Sequence, residues 1–182
     1  DKTGTLTQNK MKVKSVCLNE FCLSPYDVNS QVLHQNFVCN NTAQIIQGKG
    51  GKKQFKGSGT ECALLDAFNK QNRKVSCEAF RSNYKIIKQE PFDSNKKTMS
   101  TVIKVENFNR ELIKGAPEFI LDICKLTDGQ KKKILVNMEN FQKKSYRILC
   151  FAHCDYVEES QLKEYVYDGF VTLSDPVRPE VK

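Results

Sequence analysis

Three strand-like segments in the middle of the chain are separated only by tight turns. Tyr84–Phe92 and Thr98–Val105 flank the turn Asp93–Lys96, and Arg110–Lys114 follows the turn Glu106–Asn109. Turns this short can join antiparallel strands, whereas parallel strands need a crossover of about a dozen residues or more. The spacing therefore predicts an antiparallel sheet at the centre of the fold.

Segments on both sides of this sheet have the apolar spacing of helices and further strands. Thr60 is a candidate N-cap for a helix whose apolar stripe reaches Phe68. The glycine- and lysine-rich stretch Gly48–Gly59 is predicted to be a mobile loop. We expect helices at Asp27–Gln47 with a break at Asn40-Asn41, Thr60–Phe68, Glu118–Cys124, Asp128–Ser145 and Glu158–Tyr165, and strands at Met11–Val16, Arg147–Cys154 and Gly169–Leu173. The predicted fold class is α/β (α+β), an antiparallel β-sheet flanked by helices.

The charge balance favours an anionic partner. The 182-residue chain has 29 Lys and Arg against 21 Asp and Glu, which gives a formal net charge of +8. ATP, nucleic acid and an acidic membrane surface would all fit this excess. The lysine runs Lys49–Lys56 and Lys131–Lys133 lack the interleaved aromatic residues of a single-strand binder, so we expect no nucleic-acid partner. No apolar run approaches the roughly 20 residues of a membrane-spanning helix, so we expect a soluble segment.

Eight cysteines raise the question of a disulfide framework or a zinc site. They form no CxxC pair, and His34 and His153 do not complete a metal-ligand spacing. Most of the cysteines lie in apolar runs, where a free cysteine acts as a small hydrophobic residue. We therefore expect reduced thiols in the cytosol.

The first seven residues, DKTGTLT, combine side chains that together suit phosphoryl transfer. The carboxylate of Asp1 is suited to attack a phosphoryl group in line, and Lys2 and Thr3 offer cationic and hydroxyl donors to the phosphate oxygens. Gly4 lets the backbone approach a phosphate closely. The alternative is an ordinary polar turn.

This motif resembles the phosphorylation motif of P-type ATPases, ion pumps of the haloacid-dehalogenase superfamily. The resemblance implies that ATP phosphorylates Asp1, that Lys2 and Thr3 are its catalytic neighbours, and that Asp1 and Thr3 contribute to a Mg²⁺ site. Simple phosphatases of the superfamily carry a second aspartate where this chain has Thr3. Without that general acid and base, we expect slow hydrolysis of the phosphoenzyme, as a pump requires.

Four further segments resemble, in order, the nucleotide-binding domain of calcium-transporting P-type pumps. The first, GSGTECAL, implies that Glu61 accepts a hydrogen bond from the adenine amino group, with Thr60 beside it. The second, FDSNKKTMS, implies that Phe92 stacks on adenine and that Lys97 reaches the nucleotide. Taken without the resemblance, Phe92 would also fit an ordinary strand-end residue and Lys97 a surface lysine.

The other two segments complete the predicted ATP site. The third, KGAPE, implies that Lys114 lies at the adenine pocket, followed by Gly115. The fourth, YRIL, implies that Arg147 contacts the ribose or the phosphates and that Leu149 lines the base. The lysines and the arginine would place positive charge where a polyphosphate is held.

The resemblance is strongest to the plasma-membrane type of calcium pump, the calmodulin-regulated group. TECALL and the C-terminal DPVRPEV carry that likeness, and Ser94 agrees with it because reticulum-type pumps have an arginine there. KGAPE departs from the KGASE of the plasma-membrane group and is closer to the reticulum type. Calcium is therefore the favoured cargo, and calmodulin is a possible partner elsewhere in the parent chain.

These expectations divide the chain into a phosphorylation-domain fragment at residues 1–9, a nucleotide-binding domain at 10–173 and a hinge back to the phosphorylation domain at 174–182. The resemblance implies ATP and Mg²⁺ as cofactors and the remaining pump domains as partners. It also places the segment on the cytosolic face of a plasma or internal membrane. We expect the excerpt alone to bind ATP weakly without turnover, since the family's TGD and GDGxND segments are not in it. The alternatives are a nucleotide-free interaction or regulatory module of the same fold and a haloacid-dehalogenase-like phosphatase.

Overall fold

An extended antiparallel sheet organises the structure, a computed structural model that describes residues 10–19 and 21–175 of the 182. The strands are β1 Lys12–Leu18, β2 Phe21–Leu23, β3 Gln44–Gln47, β4 Lys53–Lys56, β5 Ile86–Asp93, β6 Thr98–Val105, β7 Phe108–Gly115, β8 Arg147–Tyr156 and β9 Val166–Ser174. Seven of them form one sheet in the order β2-β1-β9-β8-β7-β6-β5, and every neighbouring pair is antiparallel. The remaining two, β3 and β4, form a separate hairpin. The predicted fold class is confirmed.

In the described part of the chain, five α-helices accompany the sheet. They are α1 Gln31–Cys39, α2 Gly59–Gln71, α3 Cys77–Ser82, α4 Pro117–Ile123 and α5 Asp128–Gln142. Short 3-10 turns lie at Pro25–Asp27 and Lys49–Gly51. Each longer helix begins where its sequence supplies a cap; α5, for example, has a full capping box between Thr127 and Gln130.

Apolar cores lie on both faces of the sheet. On one face, α1 and α2 pack against β1, β8 and β9 through large side chains that include Phe37, Phe68 and Phe151. On the other face, α4 and α5 pack through residues that include Ile120, Met138 and Phe170. Because side chains alternate along a strand, neighbouring residues such as Cys150 and Phe151 serve opposite cores.

The central hairpins agree with the sequence. β6 spans the predicted Thr98–Val105, and its register with β7 runs without interruption from the pair Thr98–Gly115 to the pair Val105–Phe108. The helix after Pro117 and the helix that begins at Asp128 are also present.

Three predicted elements are wrong. The helix expected over Asp27–Gln47 ends at Cys39, and its last part is instead the strand β3. The loop expected at Gly48–Gly59 contains β4, whose partner is β3. Residues 157–164 are irregular and do not form the short helix that we expected at Glu158–Tyr165. In this segment Ser160 instead uses its hydroxyl in a local turn with Leu162.

The cysteines also differ from the expectation in one place. Cys17 and Cys22 form a disulfide across the β1–β2 hairpin, so the prediction of reduced thiols is wrong for this pair. The other six cysteines are free thiols, namely Cys39, Cys62, Cys77, Cys124, Cys150 and Cys154. Within the described ranges, the helices are too short or too polar to cross a membrane.

Candidate functional site

Glu61 lies in the first turn of α2. The helix begins at Gly59 because the Ser58 hydroxyl accepts a hydrogen bond from the Glu61 amide at 3.2 Å. The cap is therefore Ser58, and the prediction of Thr60 as cap is wrong; Thr60 lies partly exposed within the first turn. The Glu61 residue is only 9% exposed, which is unusual for a glutamate.

Lys114 brings its ammonium group to this carboxylate from the sheet. It is the penultimate residue of β7 and is 5% exposed. Its Nζ lies 3.1 Å from Glu61 Oε1 and also donates to the Asn40 carbonyl oxygen. A buried charge is costly unless it is paired and hydrogen-bonded, and here both conditions are met. The structure thus joins two of the predicted nucleotide residues, which are 53 positions apart in the chain.

Thr42 holds the other oxygen of the same carboxylate. Its hydroxyl donates to Glu61 Oε2 at 2.6 Å, and its amide donates to the same atom at 3.2 Å. Thr42 follows α1 and precedes β3, so the loop between these elements closes over the carboxylate. The carboxylate orientation is therefore fixed by three donors from two elements.

Burial and charge act in opposite directions on this pair. Burial alone would raise the pKa of Glu61, but the Lys114 ammonium and the Thr42 hydrogen bonds outweigh it and hold the pKa below its ordinary value. Burial lowers the pKa of Lys114, and the Glu61 carboxylate opposes that shift. Glu61 is accordingly an ionised acceptor at neutral pH.

A network of asparagine side chains fixes the loop that carries Thr42. Asn40 Nδ2 donates to the Met99 carbonyl oxygen at 3.1 Å, and Asn40 Oδ1 accepts from the Thr101 hydroxyl at 2.8 Å. Asn41 Nδ2 donates to the Glu61 carbonyl oxygen at 2.9 Å. Asn40 and Asn41 are buried, so these bonds tie the end of α1 to both the sheet and α2.

The register of the sheet places Phe92 in the same lateral row as Lys114. Met99 pairs with Lys114, which pairs with Phe151 on its other side. Between the pairs Glu90–Ser100 and Asp93–Thr98, β5 has Pro91 and Phe92 where β6 has only Met99. Phe92 is thus two strands from Lys114, about 10 Å across the sheet. Its side chain is 60% exposed, which suits a stacking surface better than a core residue.

The turn between β5 and β6 carries Lys97 and explains Gly115. Lys97 is exposed and has a positive φ of 50°. A Cβ on Gly115 would lie 2.4 Å from the Lys97 carbonyl oxygen and 2.8 Å from a Thr98 methyl carbon. The glycine is therefore required by the close approach of this turn to the end of β7.

Arg147 and Leu149 lie at the start of β8 on the face of the sheet that α1 and α2 cover. Leu149 packs against the same core as Phe151, and residues two apart on a strand share a face. Arg147 is exposed and lies four residues before Phe151, about 13 Å along the strand. Arg147 is thus at the border of this face and not beside the buried pair.

A comparison with known protein families identifies the family of the chain. The family model described as P-type ATPase, cytoplasmic domain N, matches residues 29–180. The chain belongs to this family. The match includes every predicted nucleotide residue, from Thr60 to Leu149.

Plasma-membrane-type calcium pumps are among the relatives of this domain N. Calcium-transporting ATPase 2, plasma membrane-type, of Arabidopsis thaliana is 31% identical over 215 aligned positions, which cover 100% of this chain and 21% of the relative. Calcium-transporting ATPase 3, plasma membrane-type, of Oryza sativa is 30% identical and covers 100% and 20%, respectively. The chain therefore spans about one fifth of the length of the curated relatives it matches.

The predicted phosphorylation and magnesium residues cannot be placed beside the nucleotide residues. Asp1, Lys2 and Thr3 lie outside the described residues. Within the part of the chain that the structure describes, no group of three or more His, Cys, Asp and Glu side chains could hold a metal ion.

Sequence reasoning missed Thr42 and Asn40 as members of the site. The signal was present, because Asn40-Asn41-Thr42 interrupts the apolar spacing of α1. We interpreted the interruption only as a helix break. Side chains of this kind often hydrogen-bond to nearby backbone, and here they also hold the buried ion pair.

A cavity of about 550 Å³ lies on a different stripe of α2 from Glu61. Gly59, Cys62 and Asp66 line it on the helix, and Phe55 and Cys77 line it from β4 and α3. The predicted nucleotide residues do not line this cavity. The candidate nucleotide site is therefore distinct from this cavity and is centred on the buried Glu61–Lys114 pair.

Proposed function

We propose that this domain N binds ATP for a P-type calcium pump. The observation that carries the proposal is the buried Glu61–Lys114 pair, with a nitrogen to oxygen distance of 3.1 Å. Two residues that the family resemblance assigns to one nucleotide come from α2 and β7 and meet at one point.

The hydrogen-bond donors and acceptors of Glu61 and Lys114 are suited to adenine. Glu61 Oε1 accepts from Lys114, and a carboxylate oxygen has a second lone pair for the adenine amino group. Among the described residues, Lys114 donates to Glu61 and Asn40, so one of its three N–H bonds is left for a nucleotide acceptor. The ligand would complete the hydrogen bonding of two charges that the fold has already desolvated.

Phe92 supplies the flat surface for the base. An aromatic side chain that stacks on a base contributes about 1–3 kcal/mol in nucleic-acid-binding proteins. The 60% exposure of Phe92 leaves most of its side chain accessible, and Leu149 is proposed to line the base from β8. Thr60, one residue before Glu61, and Gly115, one residue after Lys114, complete the adenine end.

Exposed cations are proposed to hold the polyphosphate. Lys97 lies in the turn before β6, and Arg147 lies at the start of β8. Arg147 is suited to bidentate contact with phosphate, whereas Lys97 acts as a mobile point charge.

In the whole pump, ATP would phosphorylate Asp1, with Lys2 and Thr3 as catalytic neighbours. Asp1 and Thr3 would contribute to the Mg²⁺ site, where the ion would neutralise phosphate charge. Residues 1–9 and 174–182 would belong to the phosphorylation domain and its hinge, and 10–173 to the nucleotide-binding domain. The names of the relatives favour calcium as cargo and a membrane-bound parent whose other domains are the partners of this one.

The affinity of the 182-residue chain for ATP tests this proposal. We expect weak binding by calorimetry, and loss of the Phe92 ring should weaken it roughly five- to 150-fold, which corresponds to the stacking energy. Phe108→Ala is the matched control, because Phe108 is a 40% exposed phenylalanine at the opposite end of β7. Equal weakening by Phe92→Ala and Phe108→Ala would contradict the proposed site.

The excerpt is proposed to bind without turnover. Incubation with ATP labelled at the γ-phosphate should leave Asp1 unlabelled and release no phosphate. Phosphate release without a stable phosphoenzyme would favour the phosphatase alternative. Absence of binding at millimolar ATP would favour the nucleotide-free interaction module.

A further inference from the structure

The hairpin of β1 and β2 forms one end of the seven-stranded sheet. β2 has only three residues, and its neighbour in the sheet is β1. Cys17 and Cys22 are directly opposite each other in this hairpin and are joined by the disulfide. The bond therefore adds a covalent link to a short edge strand that is otherwise held by its pairing with β1 and by Leu23 against the core.

The two sulfur atoms of this disulfide differ in access. Cys17 is 1% exposed and packs in the core with α4 and α5, whereas Cys22 is exposed. A thiolate in solution can therefore approach Cys22 Sγ and not the sulfur of Cys17. Thiol–disulfide exchange depends on such access.

The remaining cysteines do not share this reactivity. Cys39, Cys77 and Cys124 are buried, and burial raises the pKa of each thiol to about 12. Cys62 is half-buried, and burial together with the charge of Glu61 raises the pKa of its thiol. Thiolates are the reactive form, so burial and the raised pKa values leave these thiols much less reactive at neutral pH than an exposed cysteine.

A disulfide is unusual in a cytoplasmic domain. The family is described as the cytoplasmic domain N of P-type ATPases. Cytosolic glutathione keeps most thiols reduced, and the disulfides found there are usually transient or redox-sensing. The closed loop is short, with a sequence separation of 5, so the bond removes less chain entropy from the unfolded state than a bridge that closes a long loop. As a permanent structural bridge, it would therefore contribute less than a disulfide that links distant parts of the chain.

The hairpin also contacts helix α5. Asn137 Nδ2 of α5 donates to Cys22 Sγ at 3.5 Å. Residues of β1, β2 and α5 line a groove of about 690 Å³, among them Leu18, Phe21 and Ile134. Phe21 is 73% exposed on β2, so movement of β2 would alter the wall of the groove.

We propose that Cys17 and Cys22 are a reversible thiol–disulfide site, at which glutathione-class thiols attack Cys22 Sγ and release β2 from the sheet edge. In the first step, the attacking thiolate forms a bond to Cys22 Sγ, the Cys17–Cys22 bond breaks, and the electron pair leaves on Cys17 Sγ, which takes a proton from water. A second thiol then attacks the mixed disulfide and releases the Cys22 thiol together with the small disulfide. Two small thiols are oxidised while the protein disulfide is reduced, so the electrons balance.

The test is equilibration of the 182-residue chain with mixtures of reduced and oxidised glutathione, followed by acid quenching, alkylation and peptide mass mapping. One two-electron transition should occur within the range of the glutathione mixtures, and it should map to Cys17 and Cys22. In native chain alkylated without quenching, the buried thiols Cys39, Cys77, Cys124, Cys150 and Cys154 should stay unlabelled. A pair that stays fully oxidised or fully reduced at every ratio would overturn the proposal.

Hydrogen exchange measures the structural consequence. Reduction should speed exchange of the Phe21–Leu23 amides by about tenfold or more, since local opening of an edge strand needs little free energy. The amides of β6 and β7 are the internal control and should not change. Cys22→Ser should reproduce the reduced state without glutathione. Unchanged protection of β2 after reduction would refute the release step. These measurements use no nucleotide, so their outcome is independent of ATP binding.

Discussion

Removal of the Lys114 ammonium is the perturbation for which the structure gives the clearest magnitude. Lys114→Met keeps a long apolar stem but leaves the Glu61 carboxylate, whose side chain is 11% exposed, without its cation. Breaking a buried ion pair on one side costs about 3–5 kcal/mol, because the remaining charge is desolvated and uncompensated. That is a large part of the roughly 5–15 kcal/mol by which a domain is stable. Urea denaturation at pH 7 measures the loss.

A double-mutant cycle separates the pair from its surroundings. Glu61→Gln should also be destabilising, since it leaves the buried Lys114 ammonium without a counter-charge and with only neutral acceptors such as the Asn40 carbonyl oxygen. The double variant should lose much less than the sum of the single variants, with a coupling of about 1–3 kcal/mol. Lys104→Met, on the exposed side of β6, is the matched control and should change stability by less than about 0.5 kcal/mol.

The pH dependence gives an independent check on the same variant. In the natural chain, the pKa of Glu61 lies below its ordinary value of 4.5, so Glu61 contributes stability that is present above 4.5 and is lost as the pH falls through the folded-state pKa. In Lys114→Met, the ammonium that lowers the pKa of Glu61 is gone and the burial that raises it remains, so the folded-state pKa should be higher than in the natural chain. Acidification from pH 7 should therefore protonate Glu61 in the folded variant and narrow the stability gap between the two chains. A gap that is constant from pH 7 to pH 4, together with an additive cycle, would refute the reasoning.

Three other predictions concern stability. Burial lowers the pKa of His34 from 6.5 to about 4. The folded state therefore resists protonation of His34, and the free energy of unfolding should fall by about 3 kcal/mol as the pH drops from 7 to 4. His34→Phe should remove this pH dependence in denaturant titrations. Gly115→Ala should cost about 1–3 kcal/mol in thermal unfolding because its Cβ would meet a carbonyl oxygen at 2.4 Å, whereas Gly129→Ala, with open space in α5, should be neutral or stabilising. Ser58→Ala should cost about 1 kcal/mol by loss of the α2 cap, and Thr60→Ala should cost clearly less; equal losses in urea denaturation would contradict the assignment of the cap.

The sheet could be predicted from local sequence because its central strands are joined by short turns. Asp93 accepts hydrogen bonds from the amides of Asn95 and Lys96, so the turn between β5 and β6 is specified by its own residues. The hairpin of β3 and β4 could not be predicted in this way. Its strand Lys53–Lys56 is polar and packs against α2 mainly through Phe55, so the sequence has the composition of a loop.

The candidate site could be predicted only in part, because local sequence identifies some of its residues but not how they come together. Glu61 and Lys114 lie in recognisable segments, but their pairing depends on the tertiary contact between the start of α2 and the end of β7, which no local pattern specifies. Thr42 and Asn40 were missed because their function depends on the same tertiary contact. The disulfide was missed because the spacing of Cys17 and Cys22 does not identify a hairpin. The hairpin is difficult to predict because β2, which contains the register partner of Leu18, has only three residues.

The measurement that tests the nucleotide site most directly is an NMR titration of the 182-residue chain with ATP, with and without magnesium. The amide shifts should concentrate at Glu61, Phe92 and Lys114 and extend to Lys97 and Arg147, and Phe92→Ala should weaken them. Shifts confined to the cavity on the other stripe of α2, or no shifts at millimolar ATP, would contradict the proposed site.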